Sequence, residues 1–208
     1  MRRGRFITLE GGEGSGKTTQ SALLVKALME RGIRVLSTRE PGGAPGAELL
    51  RGVLLGGAID WSPQAETLLH FAARTEHVAK TIEPALDRGE WVICDRFHDS
   101  TLAYQGYGQG ADRSFIAEQI RLLAIDPDLT LVLDVPEDVA ADRVRRRGGD
   151  GDRYERLDAA FHARVRLGFR EIAAAAPERC VLLDAARDMQ SVHTAILTAV
   201  WTRLSPAQ

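Results

Sequence analysis

Close to its amino terminus the chain carries eight consecutive residues of the types that bind phosphate groups. They match the pattern G-x-x-x-x-G-K-[ST] and are Gly11, Gly12, Glu13, Gly14, Ser15, Gly16, Lys17 and Thr18. Glycines let backbone N–H groups turn towards a polyphosphate, the lysine reaches its β- and γ-phosphates, and the threonine hydroxyl is a ligand for Mg²⁺. Lys17 is one of only three lysines in the chain. We expect this loop to bind ATP together with Mg²⁺.

Two other polar segments follow short apolar runs and are candidates for the same site. Residues 38–43 place Arg39 and Glu40 before a rigid Pro-Gly-Gly turn, and the second segment begins with Asp95 and Arg96. An acidic residue at the end of an apolar strand is a typical partner of Mg²⁺, so Asp95 and Thr18 are the expected metal ligands, while Arg96 is placed to bridge two phosphates. A plain surface turn and a structural Asp–Arg pair are the alternatives from these residues alone.

Arginines cluster around a glycine- and aspartate-rich segment in the second half of the chain. The segment is residues 148–152, and its neighbours include Arg143, Arg145, Arg146, Arg147 and Arg153. Alone, such a cluster indicates a solvated basic helix end. Beside a phosphate loop, it also fits a flexible segment that brings cations to a migrating phosphoryl group and excludes water. We therefore predict a lid over residues 143–155, in which Arg153, helped by Arg147 or Arg143, contacts the transferred group.

Short apolar runs alternate with longer segments of helical spacing along the chain. The runs predict five strands at residues 6–9, 33–36, 91–94, 129–133 and 180–183. Helical patterns occupy residues 21–30, 45–56, 63–88, 112–125, 136–147, 155–175 and 188–204. The alternation predicts an α/β protein of the P-loop NTPase fold, with a five-stranded parallel sheet, helices on both faces and the arginine-rich lid. Ligands of such sheets bind at the carboxyl ends of the strands, where the polar segments begin.

Length and composition favour one domain over residues 1–208. With 27 Lys and Arg against 29 Asp and Glu, the net charge is −2, which argues against a nucleic-acid binder, and 44% hydrophobic residues argue against disorder. No apolar stretch approaches the roughly 20 residues of a membrane span, and no secretion signal precedes the first strand, so we expect no membrane partner and a cytoplasmic location. Cys94 and Cys180 lie in apolar runs and are expected to be buried and without chemistry.

Four motifs in a fixed order resemble those of the thymidylate kinase family. They are residues 9–19 around the phosphate loop, Thr38-Arg39-Glu40-Pro41-Gly42-Gly43, Phe71-Ala72-Ala73-Arg74, and Asp95-Arg96 followed by Ser100-Thr101 and Tyr104-Gln105-Gly106. The resemblance spans nearly the whole chain. It implies phosphoryl transfer from ATP to dTMP, giving ADP and dTDP for dTTP biosynthesis, with Mg²⁺ as cofactor and a homodimer formed through the helices around residues 63–88 and 112–125.

The resemblance also implies roles for single residues. Glu13 matches the carboxylate that accepts a hydrogen bond from the 3′-hydroxyl of the sugar, and Tyr104 matches the ring that crowds the 2′ position. Arg74 and Arg96 match arginines that hold the base or the acceptor phosphate. Arg39 is expected to help place the same phosphate. The remaining substrate-binding residues that the resemblance implies are Arg51, Ser100, Thr101 and Gln105.

At one position the chain departs from the family pattern. The ring that stacks on thymine stands four residues before the arginine that matches Arg74, and here that position is His70, with Phe71 next to it. Both lie within one helical turn of Arg74. We expect Phe71 to stack on the base, because its face offers more apolar contact than an imidazole.

Two other functions remain open on the sequence alone. The unusual His70 keeps a kinase for another deoxynucleotide or for a nucleoside as the first alternative. A nucleotide-dependent switch or a partner-binding ATPase is the second, since the phosphate loop is common to all these classes.

Overall fold

The computed structural model describes residues 3–57, 59–148 and 153–204, and within them five parallel strands form one sheet. The strands are β1 (Phe6–Glu10), β2 (Val35–Arg39), β3 (Trp91–Asp95), β4 (Leu129–Asp134) and β5 (Cys180–Asp184). They lie in the order β2-β3-β1-β4-β5, with Leu9 of β1 opposite Asp95 of β3. Strand order reverses at β1, so the carboxyl end of β1 lies where open α/β sheets bind their ligands.

Helices connect the strands and pack on both faces of the sheet. They are α1 (Lys17–Met29), α2 (Pro45–Leu55), α3 (Pro63–His77), α4 (Glu83–Asp87), α5 (His98–Thr101), α6 (Arg113–Leu123), α7 (Glu137–Arg147), α8 (Ala159–Ala175) and α9 (Met189–Leu204). Two π-helical segments continue α-helices, Val78–Ile82 after α3 and Leu102–Gly108 after α5. Local sequence fixes several helix starts: Ser62 and Asp158 each cap a helix with a side-chain oxygen, and Pro63 follows Ser62 at the first helical position.

The alternation of side chains along β1 builds the two halves of the core. Ile7 and Leu9 pack on one face of the sheet with residues of α1 and α9. Phe6 packs on the other face in a cluster that includes Phe97 and residues of α4. All five residues of β1 are buried, as expected for a central strand covered by helices on both sides.

A close contact between α8 and the π-helical segment Leu102–Gly108 holds that segment on the sheet. A Cβ atom at Gly108 would lie 2.5 Å from the ring of Phe161, and one at Gly168 would lie 2.7 Å from the ring of Tyr107. The two glycines therefore allow an approach that no other residue permits without a shift. This packing fixes Tyr104 and Gln105, which lie on the same segment.

The predicted fold class is confirmed, and the differences lie at the ends of elements. The second strand covers residues 35–39 instead of 33–36, and the first helix begins at Lys17, four residues before its predicted start. Residues 98–108, treated as a loop from the sequence, are helical. Within the described residues, no helix combines the length and the apolar character needed to cross a membrane. Cys94 and Cys180 are buried free thiols, as expected.

Candidate active site

The phosphate loop connects the end of β1 to the start of α1. Gly11 and Gly14 have φ values of 142° and 69°, in the region that favours glycine, and a Cβ atom at Gly14 would lie 2.5 Å from the carbonyl oxygen of Ala140 in α7. The helix that follows presents its amino-terminal N–H groups to the loop, which is an arrangement that binds anions. The predicted loop is therefore formed, and α7 lies directly against it.

Lys17 turns its ammonium group back onto the loop. Its Nζ donates hydrogen bonds to the carbonyl oxygens of Gly11 and Gly12 at 3.0 and 2.8 Å. Burial, followed by the nearby charge of Arg96, lowers the pKa of Lys17 to about 8, although Glu13 and Asp95 oppose the shift. A bound polyphosphate would favour the charged form of this amine. Lys17 is thus a buried cation held ready for an anion.

Thr18 and Asp95, the two metal ligands predicted from the sequence, meet at the carboxyl end of β3. The Thr18 hydroxyl donates to Oδ2 of Asp95 at 2.8 Å. Asp95 lies opposite Leu9 of β1 and opposite Arg39 of β2 in the sheet register, so β1, β2 and β3 end side by side next to the phosphate loop. One hydroxyl and one carboxylate fit Mg²⁺, which takes few protein ligands and completes its shell with water and substrate phosphates.

Arg96 joins the phosphate loop to the segment after β3. Its φ of 71° is unusual for a residue other than glycine, and its Nη1 donates to the Gly11 carbonyl at 2.9 Å and to Ser100 Oγ at 3.2 Å. Its Nη2 donates to the carboxylate of Glu13 and, at 3.0 Å, to the hydroxyl of Tyr104. A strained backbone at a residue with four polar partners is typical of a functional site.

Glu13 is held ionised by these neighbours. Burial alone would raise the pKa of this carboxyl group, but Arg96, Lys17 and the hydroxyl of Tyr104 outweigh it and lower the pKa to about 2. The Tyr104 hydroxyl donates to Oε1 of Glu13 at 2.7 Å. The site therefore contains a fixed negative charge between the loop and the cavity described next.

Arg74 projects from α3 into a cavity beside the phosphate loop. Its Nε donates to Oε2 of Glu40 at 2.7 Å, and its Nη2 donates to the carbonyl of Phe97 and to Oγ1 of Thr101, both at 3.1 Å. Nη1 is buried and has no hydrogen-bond partner within the described residues. Arg74 lines the cavity, so one guanidinium nitrogen is left over for a ligand.

Glu40 lies in the wall behind Arg74. Glu40 is buried between Arg74 and the ring of His77, whose Nδ1 lies 3.0 Å from Oε1 of Glu40. Burial would raise the pKa of Glu40, but the charge of Arg74 reverses the effect and lowers it. Glu40 therefore anchors Arg74.

The structure brings most of the implied substrate-binding residues to the wall of this one cavity. Its lining contains Glu13, Glu40, Pro41, Arg51, Leu55, His70, Arg74, Arg96, Phe97, Ser100, Thr101, Tyr104, Gln105 and Tyr154. The side chain of Arg51 is tied to this place by a hydrogen bond of 2.6 Å to the carbonyl of Pro41.

Of the two rings considered for stacking on the base, the structure places His70, and not the preferred Phe71, in the lining of the cavity. Phe71 is buried outside the cavity, with the guanidinium carbon of Arg74 at 4.9 Å from its ring centre. His70 lines the cavity, and burial, followed by the charge of Arg74, lowers its pKa to about 3, so its ring is neutral. His70 lines the cavity because it is about one full turn of α3 from Arg74 and therefore lies on the same face of the helix.

A separate groove contains the phosphate loop and the cations expected around a polyphosphate. Lys17, Thr18, Asp95 and Arg96 line it, together with Arg39, Arg143 and Arg147. Arg39 is half exposed and pairs with Glu48 at 3.2 Å. Glu13, Glu40, Arg51 and Arg96 line both the groove and the cavity, so the two sites share a wall.

The arginines of the predicted lid separate into two groups. Arg143 and Arg147 lie at the end of α7 and face the groove, with Nη1 of Arg143 at 3.4 Å from the carbonyl of Gly14. Arg153 instead forms an ion pair with Glu66 on α3 and lies 3.6 Å from Asp60. Arg153, which the sequence predicts to lead the contact with the transferred group, is therefore held beside Glu66, whereas Arg143 and Arg147 line the groove. Residues 149–152 of the predicted lid lie outside the described residues.

Sequence reasoning missed two residues that organise the cavity, Glu66 and Tyr154. Glu66 is fully buried, and Tyr154 donates to its Oε1 at 2.7 Å. The available signal was spacing, since Glu66, His70 and Arg74 recur every four residues on one face of α3. No local pattern indicated that Tyr154, 88 positions away, would reach the same carboxylate.

Comparisons with known proteins agree with this arrangement. The family model described as thymidylate kinase matches residues 9–196. The chain is 53% identical over 207 residues to the thymidylate kinase of Gluconobacter oxydans, an alignment that covers 98% of the chain and 97% of that protein. It is 49% identical over 207 residues to the thymidylate kinase of Caulobacter vibrioides, covering 98% of the chain and 99% of that protein. The crystal structure of thymidylate kinase from Ehrlichia chaffeensis is similar with a TM-score of 0.77 and 39% identity, over 95% of this chain and 99% of the other.

Proposed function

Because the chain belongs to the thymidylate kinase family and phosphorylates dTMP, we propose that the groove holds ATP and the adjoining cavity holds dTMP. The enzyme is a nucleoside monophosphate kinase that acts in nucleotide biosynthesis, which sets aside the switch and partner-binding alternatives. The observation that carries the assignment of the cavity is the unpaired Nη1 of Arg74. It is a buried donor that a carbonyl oxygen of thymine would satisfy.

We propose that the residues of the phosphate loop, Gly11 to Thr18, bind the phosphates of ATP. The ammonium group of Lys17 exchanges its contacts with the carbonyl oxygens of Gly11 and Gly12 for phosphate oxygens, and the backbone N–H groups of the loop bind the same phosphates. Thr18 and Asp95 would hold Mg²⁺, whose chemistry is to neutralise the charge that develops on the phosphates. Arg143 and Arg147 reach the same groove from α7 and supply further positive charge.

The acceptor is held from the other side of the shared wall. Arg39 and Arg96 position the monophosphate, and the carboxylate of Glu13 accepts a hydrogen bond from the 3′-hydroxyl. The ring of Tyr104 is fixed by Glu13 and Arg96, so it stays against the sugar and disfavours a 2′-hydroxyl. His70 packs on the base, Arg51 and Ser100 complete the lining, and Thr101 and Gln105 lie along the edge of the base.

The reaction then requires little beyond alignment and charge. An oxygen of the dTMP phosphate attacks the γ-phosphorus of ATP, a new P–O bond forms, and the bond to the β-phosphate oxygen breaks to release ADP. The attacking oxygen is already anionic, so no strong general base is needed. Arg96 lies where donor and acceptor phosphates meet, and its contacts with the Gly11 carbonyl and Glu13 fix it there before substrates arrive.

Replacing Arg74 by lysine tests the assignment of the cavity. We expect the KM for dTMP to rise about 10- to 100-fold, because lysine keeps a charge near Glu40 but cannot also bond Phe97, Thr101 and the base. The KM for ATP should change little, since Arg74 does not line the groove among the described residues. A variant whose KM for dTMP equals that of the wild type in steady-state assays would contradict the assignment.

We also propose that the enzyme acts in the cytoplasm, where ATP and dTMP are available.

We further propose that the enzyme is a homodimer. Exposed apolar side chains support a contact between copies: Leu68 on α3 is 47% exposed and Leu122 on α6 is 62% exposed. Analytical ultracentrifugation should give twice the mass of the chain, and a monomer at micromolar concentration would contradict the proposed dimer.

A further inference from the structure

Glu66 receives hydrogen bonds from two separate segments of the chain, residues 105–109 and residues 153–154. Its Oε1 accepts from the Tyr154 hydroxyl at 2.7 Å, from Gln105 Nε2 at 2.8 Å and from Gln109 Nε2 at 2.7 Å, and its other oxygen pairs with Arg153. Glu66 is fully buried and does not line the cavity, whereas Gln105 and Tyr154 do. The carboxylate therefore lies behind the wall that faces the base.

A carboxylate paired with arginine can only accept hydrogen bonds, and this fixes the direction of its neighbours' bonds. Gln105 must turn Nε2 towards Glu66, and its second N–H is given to the Tyr154 hydroxyl at 3.1 Å. Both amide hydrogens are then used. The carbonyl oxygen Oε1 of Gln105 is then the atom of this amide that remains for a ligand in the cavity, and it can accept a hydrogen bond but cannot donate one.

The same constraint extends to His70. The Tyr154 hydroxyl has one hydrogen, which it gives to Glu66, so it can only accept from Nε2 of His70 at 2.9 Å. His70 must then carry its hydrogen on Nε2. Burial lowers the pKa of His70 to about 3, which agrees with a neutral ring.

We propose that Glu66 is a positioning residue that determines base specificity by setting the hydrogen-bond polarity of the cavity wall. With Gln105 presenting an acceptor and Arg74 a free donor, the wall matches a base that has an N3–H next to a 4-carbonyl. Thymine has this pattern. Cytosine has the reverse, an unprotonated N3 next to a 4-amino group, and leaves both protein groups unpaired. The inference rests on the proposed binding of the base in this cavity.

The Glu66→Gln variant tests this inference. A glutamine at position 66 can donate as well as accept, so Gln105 is free to present either end of its amide to the cavity. We expect the ratio of kcat/KM for dTMP to that for dCMP to fall about 10- to 100-fold, with the loss for dTMP mainly in KM. Equal losses for the two nucleotides, which leave the ratio unchanged, would overturn the inference.

Two further variants separate polarity from packing. Gln109→Leu removes another hydrogen bond to the same oxygen of Glu66 but leaves the Gln105 bond, so the dTMP to dCMP ratio should stay at the wild-type value. In a double-mutant cycle, Glu66→Gln should have no further effect on the ratio once Gln105 is replaced by leucine. An undiminished effect in the Gln105→Leu background would show that Glu66 does not act through Gln105.

A measurement on the wild-type enzyme does not depend on the variants folding. Nitrogen-15 NMR of the His70 ring should show a neutral imidazole with its hydrogen on Nε2, and a hydrogen on Nδ1 would overturn the inference. Wild-type enzyme that uses dCMP as well as dTMP would instead contradict the assignment of the cavity itself. The failure of the proposed function is thereby distinguished from the failure of the role of Glu66.

Discussion

Replacement of Lys17 by methionine is expected to lower kcat about 10³-fold at saturating ATP and dTMP. Lys17 is a buried cation in the phosphate loop, and in the structure its ammonium group contacts only protein oxygens that phosphates would replace. Methionine has a similar volume but no charge, so the loop would lose its attraction for the phosphate that moves. A coupled assay of ADP production measures the effect.

Lys26 provides the matched control for this substitution. It lies on the same helix, its side chain is 74% exposed, and it contacts Glu30 at 3.9 Å. Lys26→Met should therefore have nearly the wild-type kcat. A Lys17→Met enzyme with a kcat within tenfold of that of wild type would show that this cation does not act in the transfer.

Removal of both Arg143 and Arg147 is expected to lower kcat about 10³-fold, as for other arginines that reach the transferred phosphoryl group. Both line the groove with Lys17, and Arg147 is also paired with Glu155 at 2.6 Å, which ties the end of α7 to the segment beyond residues 149–152. Arg153→Ala should act mainly on the KM for dTMP, because its partner is Glu66 behind the cavity wall.

The control for the lid variants is Arg146→Ala. Arg146 lies on the same helix, is 79% exposed, and pairs with Asp142 at 2.7 Å away from the groove. Its replacement should leave kcat unchanged. If Arg153→Ala lowered kcat more than the double variant of Arg143 and Arg147, the cation at the transferred group would be Arg153, as the sequence first suggested.

The sequence predicts those parts of the site whose functional residues are close together along the chain. The phosphate loop is contiguous, and the change from an apolar run to a helical pattern on either side of it fixes its place in the fold. Asp95 and Thr18 could be paired because Asp95 ends β3 and Thr18 lies at the start of the helix that follows β1. The ends of these two strands lie at the same edge of the parallel sheet.

Other parts of the site depend on the rotation of a helix or on contacts between residues far apart in the sequence, which local patterns do not show. His70 and Phe71 differ by a rotation of about 100° along α3, and this rotation places His70 at the cavity, whereas the apolar ring of Phe71 is buried outside its lining. Residues 98–108 have no helical pattern of apolar residues because they are almost wholly buried, so their helical form was missed.

The role of Arg153 depends on a residue far away in the sequence. Arginines next to glycines in one charged segment look equivalent in the sequence, and only the buried carboxylate of Glu66, 87 positions earlier, distinguishes Arg153 from Arg143 and Arg147. Such a partner is invisible to a search for local patterns. The ion pair is nevertheless what places the segment after residue 152 beside the cavity.

The most direct test of the proposed site is ADP production from Mg·ATP with dTMP, dUMP, dCMP, dGMP, UMP and thymidine supplied separately. We expect a strong preference for dTMP. Arg74 and Gln105 should reject dCMP, Tyr104 should disfavour UMP, and thymidine should be inactive because it lacks the attacking phosphate. ATP turnover that does not depend on the acceptor, or equal use of dCMP and dTMP, would contradict the proposed site.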